Sequence, residues 1–212
     1  ADLRPEGKQG ALVRSLGSYA AYYARWSATW EAQALLRADV VAGDESLGRA
    51  FRALIDPLRW SGSLSPDEVL EVRRLKARME SERLPRGADP ALHTKLGRGG
   101  LSDVEWVVQL MQLEHADEVA GLRTSRTIPA LHAALGAGLI GVKDATELAG
   151  AWQMATSIRN AVTLVRGRPS DQVADSLLAL RLPLAVARYL GWLPVIGPTV
   201  EAAPVLLESG TT

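Results

Sequence analysis

Helix-start signals recur along this chain, and they constrain its fold more than any other feature. The clearest is SPDE, residues 65–68, in which a proline follows a serine and a glutamate stands three residues after that serine. This pattern is a capping box with proline at the first helical position. Because Pro85 cannot continue a helix, the sequence predicts one over residues 66–83.

Apolar residues at helical spacing predict further helices on both sides of this one. A stripe from Tyr19 to Trp30 is read as core in a helix that Ser18 caps, and Gln33 and Arg37 extend the stripe toward a cleft. Strand evidence is limited to a candidate edge strand at 11–16, so we predict a mainly α fold. The predicted helices are 18–38, 45–58 (with Asp44 as its cap), 66–83, 102–115, 128–136, 143–166 and a last one over 176–189.

Composition narrows the classes of function. Lysine plus arginine and aspartate plus glutamate both number 24, so the net charge is zero. This balance argues against broad nucleic-acid or membrane binding, although it allows a local basic site. The chain has no cysteine, and its most apolar region, 177–197, is interrupted by Arg181 and Arg188. We therefore expect a cytoplasmic protein without a membrane span. Since the sequence does not begin with methionine, we expect a piece of a longer chain.

The segment HTKLGRGGLSDVEW, residues 93–106, places a basic, glycine-rich loop directly before a predicted helix. Glycines such as Gly99 and Gly100 allow positive φ and close approach by a ligand. Lys95 and Arg98 add positive charge, and a helix N-terminus favours anions. The segment is therefore either a tight interhelix turn or a phosphate contact. It is not a P-loop, because no strand precedes it and the Gly-Lys-Ser/Thr order is missing.

Charged residues near this loop have structural as well as functional interpretations. The run SDVE at 102–105 is a second capping box, with Ser102 as the cap and Glu105 as its reciprocal half. On a helix, Asp103 and Glu105 point roughly 200° apart, which does not suit a shared metal site. Arg73 and Lys76 lie beside the apolar stripe of their helix, where they either form interhelix salt bridges or line an anion cleft.

Two arginines lie on an apolar stripe of the long helix predicted over 143–166. Arg159 and Arg166 share that stripe with Leu148 and Trp152. A buried arginine without a partner is costly, so these side chains need carboxylates, solvent or a ligand. The three histidines show no metal spacing, and no serine has a Gly-x-Ser-x-Gly context.

Five segments in this order resemble bacterial glutamine synthetase adenylyltransferase, the bifunctional adenylylating and adenylyl-removing enzyme. They are LRPEGKQGALVRSL, YYARWSATWEAQALLRA, EVRRLKARMESERLPRG, HTKLGRGGLSDVEWVVQLMQL and RNAVTLVRGRPSDQ. The resemblance spans roughly residues 1–191. That family has two homologous halves, each with a nucleotidyltransferase domain and a following helical domain. Two stretches are most similar to the C-terminal, adenylylating half, namely ERLPRGADPALHTKLGRGGLSDVEW and SIRNAVTLVRGRPSDQ.

The resemblance implies an organisation, an activity and a site. Residues 1–55 would end a nucleotidyltransferase (α+β) domain, 56–192 would form a helical bundle domain, and 193–212 would be a mobile tail. The implied enzyme moves AMP from ATP to a tyrosine of glutamine synthetase, with Mg²⁺ as cofactor. Glutamine synthetase, ATP and the P-II signal protein are the implied partners. The implied nucleotide contacts are Arg4, Arg37, Arg73, Lys76, Lys95, Gly99 and Gly100, with Asp103 as a further candidate.

The chain departs from that family in two places. The family's catalytic core contains Asp-x-Asp, and this sequence has no such motif. Because nucleotidyl transfer needs clustered carboxylates to hold metal ions, we expect no catalytic residue and no metal ligand here, and no activity from this chain alone. The tail after Leu190 also lacks the expected basic helix. Two alternatives stay open: the adenylyl-removing half, and a non-catalytic helical module that binds glutamine synthetase or a regulator.

Overall fold

The computed structural model describes residues 5–62 and 64–173, and this part of the chain is mainly helical. Only an isolated antiparallel bridge, between His93 and Gln172, stands there in place of a strand. The predicted mainly α fold is therefore confirmed. The helices are α1 (Leu16–Trp26), α2 (Thr29–Leu35), α3 (Glu45–Arg59), α4 (Pro66–Arg83), α5 (Leu101–His115), α6 (Thr127–Gly136) and α7 (Val142–Arg166).

The predicted bounds of α3 to α7 agree with the structure to within one residue at either end. The capping box before α4 is confirmed, because the Glu68 N–H donates to Ser65 Oγ at 3.3 Å while the Ser65 N–H donates to the Glu68 carboxylate at 2.8 Å. This backbone hydrogen bond holds the pKa of Glu68 below its ordinary value. Asp44 caps α3 as predicted, accepting from the Leu47 N–H at 2.8 Å.

The single helix predicted over 18–38 is wrong. The backbone turns extended at Ser27 and Ala28, so that α1 and α2 are separate helices. The Glu31 carboxylate accepts the Ala28 N–H at 3.2 Å, which satisfies a donor freed by the break. The break is invisible to apolar spacing because the residues after it still face inward. Ser15, and not Ser18, caps α1. The candidate strand at 11–16 is also wrong, since no pairing forms there.

The chain forms two compact units. Unit 1 comprises Ala1–Ser81 and Glu105–Thr146, and unit 2 comprises Glu82–Val104 and Glu147–Thr212. The predicted family boundaries at 1–55, 56–192 and 193–212 stay predictions. The helix predicted over 176–189 and the tail lie outside the described residues.

The aromatic stripe of α1 contributes to the core of unit 1. Tyr23 and Ile55 are buried, and the rings of Tyr19 and Phe51 meet edge to face with centroids 5.5 Å apart. This confirms the inward face predicted for most of the stripe. Trp26 is the exception, because 61% of its surface is exposed at the end of α1.

In unit 2, the buried apolar residues come from the start of α5, from α7 and from Val173. Leu101 and Val104 are buried, as are Ala161 and Val162. Within the described residues, no helix is both long enough and apolar enough to cross a bilayer.

Candidate functional site: a glycine loop anchored by a distant segment

The glycine-rich loop is anchored in unit 2 by main-chain hydrogen bonds to a distant part of the chain. The Thr94 N–H donates to the Asp171 carbonyl at 2.8 Å, and the Val173 N–H donates to the Leu92 carbonyl at 2.9 Å. The Thr94 hydroxyl donates to the same Asp171 carbonyl at 2.9 Å across 77 residues of sequence. Two of the segments that carry the family resemblance therefore meet here.

Side chains reinforce this junction. The Asp171 carboxylate forms an ion pair with Arg159 of α7. Buried His93 accepts the Leu96 N–H on Nδ1 at 3.0 Å, which tightens the entry to the loop. Arg159 thus has the carboxylate partner that its position on the stripe required, and Arg166 reaches solvent.

The glycines of the loop are required by its shape. A Cβ added at Gly97 would lie 2.2 Å from the Pro90 carbonyl oxygen and 2.5 Å from that of His93. A Cβ at Gly100 would lie 2.8 Å from the carbonyl oxygens of Gly97 and Thr94. Gly99 is exposed and has a φ of +73°, in the left-handed region that favours glycine. The interpretation as a tight turn is confirmed.

Backbone donors of this turn are already used within the loop. The Gly99 N–H donates to the Asp103 carboxylate at 2.7 Å, and the Gly100 N–H donates to the Gly97 carbonyl at 2.9 Å. An acidic side chain therefore stands where a bound anion would contact Gly99. Lys95 and Arg98 are exposed beside it. A phosphate reaching Gly99 would compete with Asp103, while the two cations stay accessible.

The capping box predicted at Ser102 is wrong. Helix α5 begins at Leu101, so Ser102 lies inside its first turn with 2% of its surface exposed. Its hydroxyl donates to the Lys95 carbonyl at 2.7 Å instead of accepting from the helix. Glu105 does not turn back to the cap either, because its carboxylate lies 3.7 Å from Arg37. The loop path, which local spacing does not encode, decides the contact of Ser102.

The other candidate cations lie in unit 1 or outside the described residues. Arg37 donates to Thr127 Oγ1 at 2.8 Å and so links the turn after α2 to the start of α6. Lys76 forms an ion pair with Glu80 one turn along α4, and Arg73 is exposed on the same helix. Arg4 is not among the described residues. Of the predicted contacts, the structure brings Lys95, Gly99 and Gly100 together in one loop.

Sequence reasoning did not identify Asp171 as the partner of the loop, although the segment that contains it carried the family resemblance. It also passed over the run RTSR at 123–126, which borders a cavity in unit 1. The available signal was the run itself, two arginines around two hydroxyl residues before a helix. Across residues 5–62 and 64–173, no three histidine or acidic side chains come together to hold a metal ion.

Two family models match the chain. Residues 1–54 match the model described as glutamate-ammonia ligase adenylyltransferase, and residues 73–193 match the model described as GlnD PII-uridylyltransferase. The second match covers more than half of the chain and includes the glycine loop together with its partner segment.

Curated relatives agree on one family. The chain is 64% identical to a bifunctional glutamine synthetase adenylyltransferase/adenylyl-removing enzyme of Streptomyces coelicolor, over 90% of the chain and 19% of that protein. It is 53% identical to the protein of the same description from Mycobacterium avium, over 97% of the chain and 20% of that protein. The chain thus spans about a fifth of the length of these relatives. It belongs to the family of bifunctional glutamine synthetase adenylyltransferase/adenylyl-removing enzymes.

Proposed function

We propose that this chain is part of the adenylylating half of a cytoplasmic glutamine synthetase adenylyltransferase. The whole enzyme would transfer AMP from ATP to a tyrosine hydroxyl of glutamine synthetase and release pyrophosphate. Sequence resemblance supports the assignment to this half, and the structure adds that the resembling segments meet. The segments at 82–106 and 157–172, which resemble the adenylylating half most, join through main-chain hydrogen bonds at Thr94 and Asp171.

The proposed task of the loop is to place positive charge next to the nucleotide phosphates. Lys95 and Arg98 are exposed on a loop whose path is fixed by packed glycines, so their charges start from a rigid backbone. Charge-assisted contacts to phosphate are roughly twice as strong as neutral hydrogen bonds. Asp103 would compete with the nucleotide for the Gly99 N–H, which favours the side chains over the backbone as the main contacts.

Mg²⁺ would supply charge neutralisation of the triphosphate, as in other nucleotidyl transfers. The described residues offer no cluster of ligands for it, so no metal ligand is assigned to them. Glutamine synthetase, ATP and the P-II signal protein remain the proposed partners of the whole enzyme.

The test uses the full-length enzyme that contains this sequence. In Lys95→Ala, we expect incorporation of labelled AMP into glutamine synthetase to slow about tenfold, because one charge-assisted phosphate contact is lost. The melting temperature should not change, since the Lys95 side chain is exposed. Lys143→Ala is the matched control, because it removes another exposed lysine at the start of α7. Equal rates in the two variants would refute a role for Lys95 in nucleotide use.

The adenylyl-removing activity is the second candidate, because the descriptions of the relatives include both activities. It is separated by giving the same enzyme adenylylated glutamine synthetase and inorganic phosphate. If Lys95→Ala slows release of ADP but leaves AMP incorporation unchanged, the chain belongs to the removing half. If it alters neither reaction while the chain alone still captures glutamine synthetase, the chain is a docking module.

A further inference from the structure

Unit 1 contains an open cavity of about 630 Å³. It is bordered by residues 38–39 after α2, by one side of α3 over residues 52–60, and by the segment 123–126 that leads into α6. This volume falls within the roughly 300–1,000 Å³ typical of small-molecule sites. All of these residues belong to unit 1, and none was assigned to nucleotide transfer above.

Four arginines and two aspartates border the cavity. Two of the arginines, both on α3, form ion pairs with the two aspartates. Arg59 lies 2.8 Å from Asp56, and Arg52 lies 3.1 Å from Asp39. Arg59 is also buried and donates to the Leu35 and Ala38 carbonyls at 3.0 and 2.7 Å. Both carboxylates that border the cavity are therefore already paired with an arginine.

Within the described residues, the positive charges of the remaining two arginines are not balanced by a carboxylate in an ion pair. Arg123 donates to the carbonyls of Ala116 and Asp117 at 2.7 and 2.9 Å, which fixes its position without neutralising it. Arg126 is exposed, and its side chain forms no hydrogen bond or ion pair with any residue in 5–62 or 64–173. The hydroxyl residues Thr124 and Ser125 lie between them on the cavity wall.

This arrangement suits a doubly charged oxyanion. Guanidinium groups donate paired hydrogen bonds to phosphate oxygens, and hydroxyl groups add further donors. Two uncompensated positive charges on one short segment repel each other, and a dianion between them removes that repulsion. A single carboxylate would leave one charge unbalanced. Extended nucleic acid is disfavoured by the zero net charge of the chain.

The cavity is larger than a phosphate group needs. Its remaining wall includes the apolar residues Ala53, Pro57 and Trp60. We propose that this cavity binds a small phosphorylated organic molecule, with Arg123 and Arg126 holding the phosphate and α3 receiving the organic part. None of its residues belongs to the glycine loop, and the proposal does not depend on the function proposed above.

The test is calorimetric titration of the 212-residue chain with AMP, inorganic phosphate and adenosine. AMP represents a phosphate monoester with a ring. We expect saturable binding of one AMP, weaker binding of phosphate and none of adenosine. Arg126→Gln should weaken AMP binding at least tenfold, and Arg126→Lys should restore part of it. The matched control is Arg49→Gln, an exposed arginine of α3 that pairs with Glu45 at 3.5 Å and does not border the cavity.

Three results would overturn the proposal. The first is the absence of saturable AMP binding. The second is equal weakening by Arg126→Gln and Arg49→Gln, which would indicate general charge attraction. The third is loss of AMP binding in Lys95→Ala but not in Arg126→Gln, which would place the ligand at the glycine loop. Arg126 is exposed, so its replacement is not expected to unfold the chain.

Discussion

Replacing two glycines of the same loop by alanine should separate close packing from backbone conformation. In Gly97→Ala, the new Cβ would lie 2.2 Å from the Pro90 carbonyl oxygen, whereas Cβ atoms essentially never come closer than 3.0 Å. The turn at Pro90–Leu92 must therefore move by roughly 0.8 Å. The crowding atoms, the carbonyl oxygens of Pro90 and His93, belong to the backbone and cannot rotate away. We therefore expect the free energy of unfolding to fall by about 3 kcal/mol, the upper part of the usual overpacking range.

Gly99→Ala is the matched control. Its Cβ would meet nothing within 4 Å, and only the φ of +73° opposes it. We expect a loss of about 1 to 2 kcal/mol in the free energy of unfolding, the ordinary cost of a left-handed residue.

Amide hydrogen exchange distinguishes the two mechanisms. Displacing the Pro90–Leu92 turn weakens the bond between the Leu92 carbonyl and the Val173 N–H, so Gly97→Ala should speed exchange at Val173 and at Thr94. Gly99→Ala should leave both amides protected. If the two variants expose these amides equally, close packing at Gly97 does not hold the junction together.

Three further predictions concern pH, an ion pair and activity. Burial raises the pKa of Tyr23 to about 12. The contribution of its neutral hydroxyl to stability should therefore be complete below pH 10 and lost as the pH rises through 12. In an ultraviolet titration, we expect a phenol that ionises at high pH and is absent in Tyr23→Phe. Asp171→Asn should cost at most about 1 kcal/mol in urea unfolding, because the ion pair with Arg159 is partly exposed while the Thr94 bonds use the carbonyl. The chain alone should incorporate no labelled AMP into glutamine synthetase, because it lacks Asp-x-Asp; a rate near that of the whole enzyme would contradict this.

Acidic stability offers one more measurable sign. A backbone hydrogen bond from Ser65 lowers the pKa of Glu68 below its ordinary 4.5. Its contribution should therefore be present above that pH and disappear as the pH falls through the lowered value. Glu68→Gln should make the free energy of unfolding less dependent on pH in the acid range. An unchanged pH dependence would show that the capping box does not act through the carboxylate charge.

Local signals predicted the parts of the fold that local physics controls. The caps at Asp44 and Ser65 each satisfy helix N–H groups within three residues, so the starts of α3 and α4 could be read from the sequence. The break between α1 and α2 could not, because Glu31 supports it without changing which residues face inward. Ser102 looked like a cap, yet its hydroxyl donates to the carbonyl of Lys95, seven residues earlier.

The candidate site was predictable only in part, for a related reason. Glycine spacing located the loop, because nearby backbone atoms leave no room for a side chain at Gly97 and a positive φ favours glycine at position 99. Its anchor at Asp171 lies 77 residues from Thr94, and no periodic pattern connects the two. The cavity arginines could not be predicted, because the sequence does not show which arginines pair with a carboxylate and which, like Arg126 in the described part of the chain, do not.

The junction that holds the loop has a consequence for how this family can change over evolutionary time. Both main-chain bonds of the junction join N–H groups to carbonyl oxygens, as at Thr94 and Asp171, and every residue except proline carries that pair of groups. The hydroxyl of Thr94 also donates to a main-chain carbonyl, so among the described residues no bond across the junction requires a particular side chain on the Asp171 side. Substitution at one side of the junction therefore creates no pressure for a compensating substitution at the other. The two segments can therefore change in sequence independently and remain joined. An analysis of correlated substitutions among relatives would miss this contact. An insertion of one residue on either side, in contrast, would shift the pairing and break it.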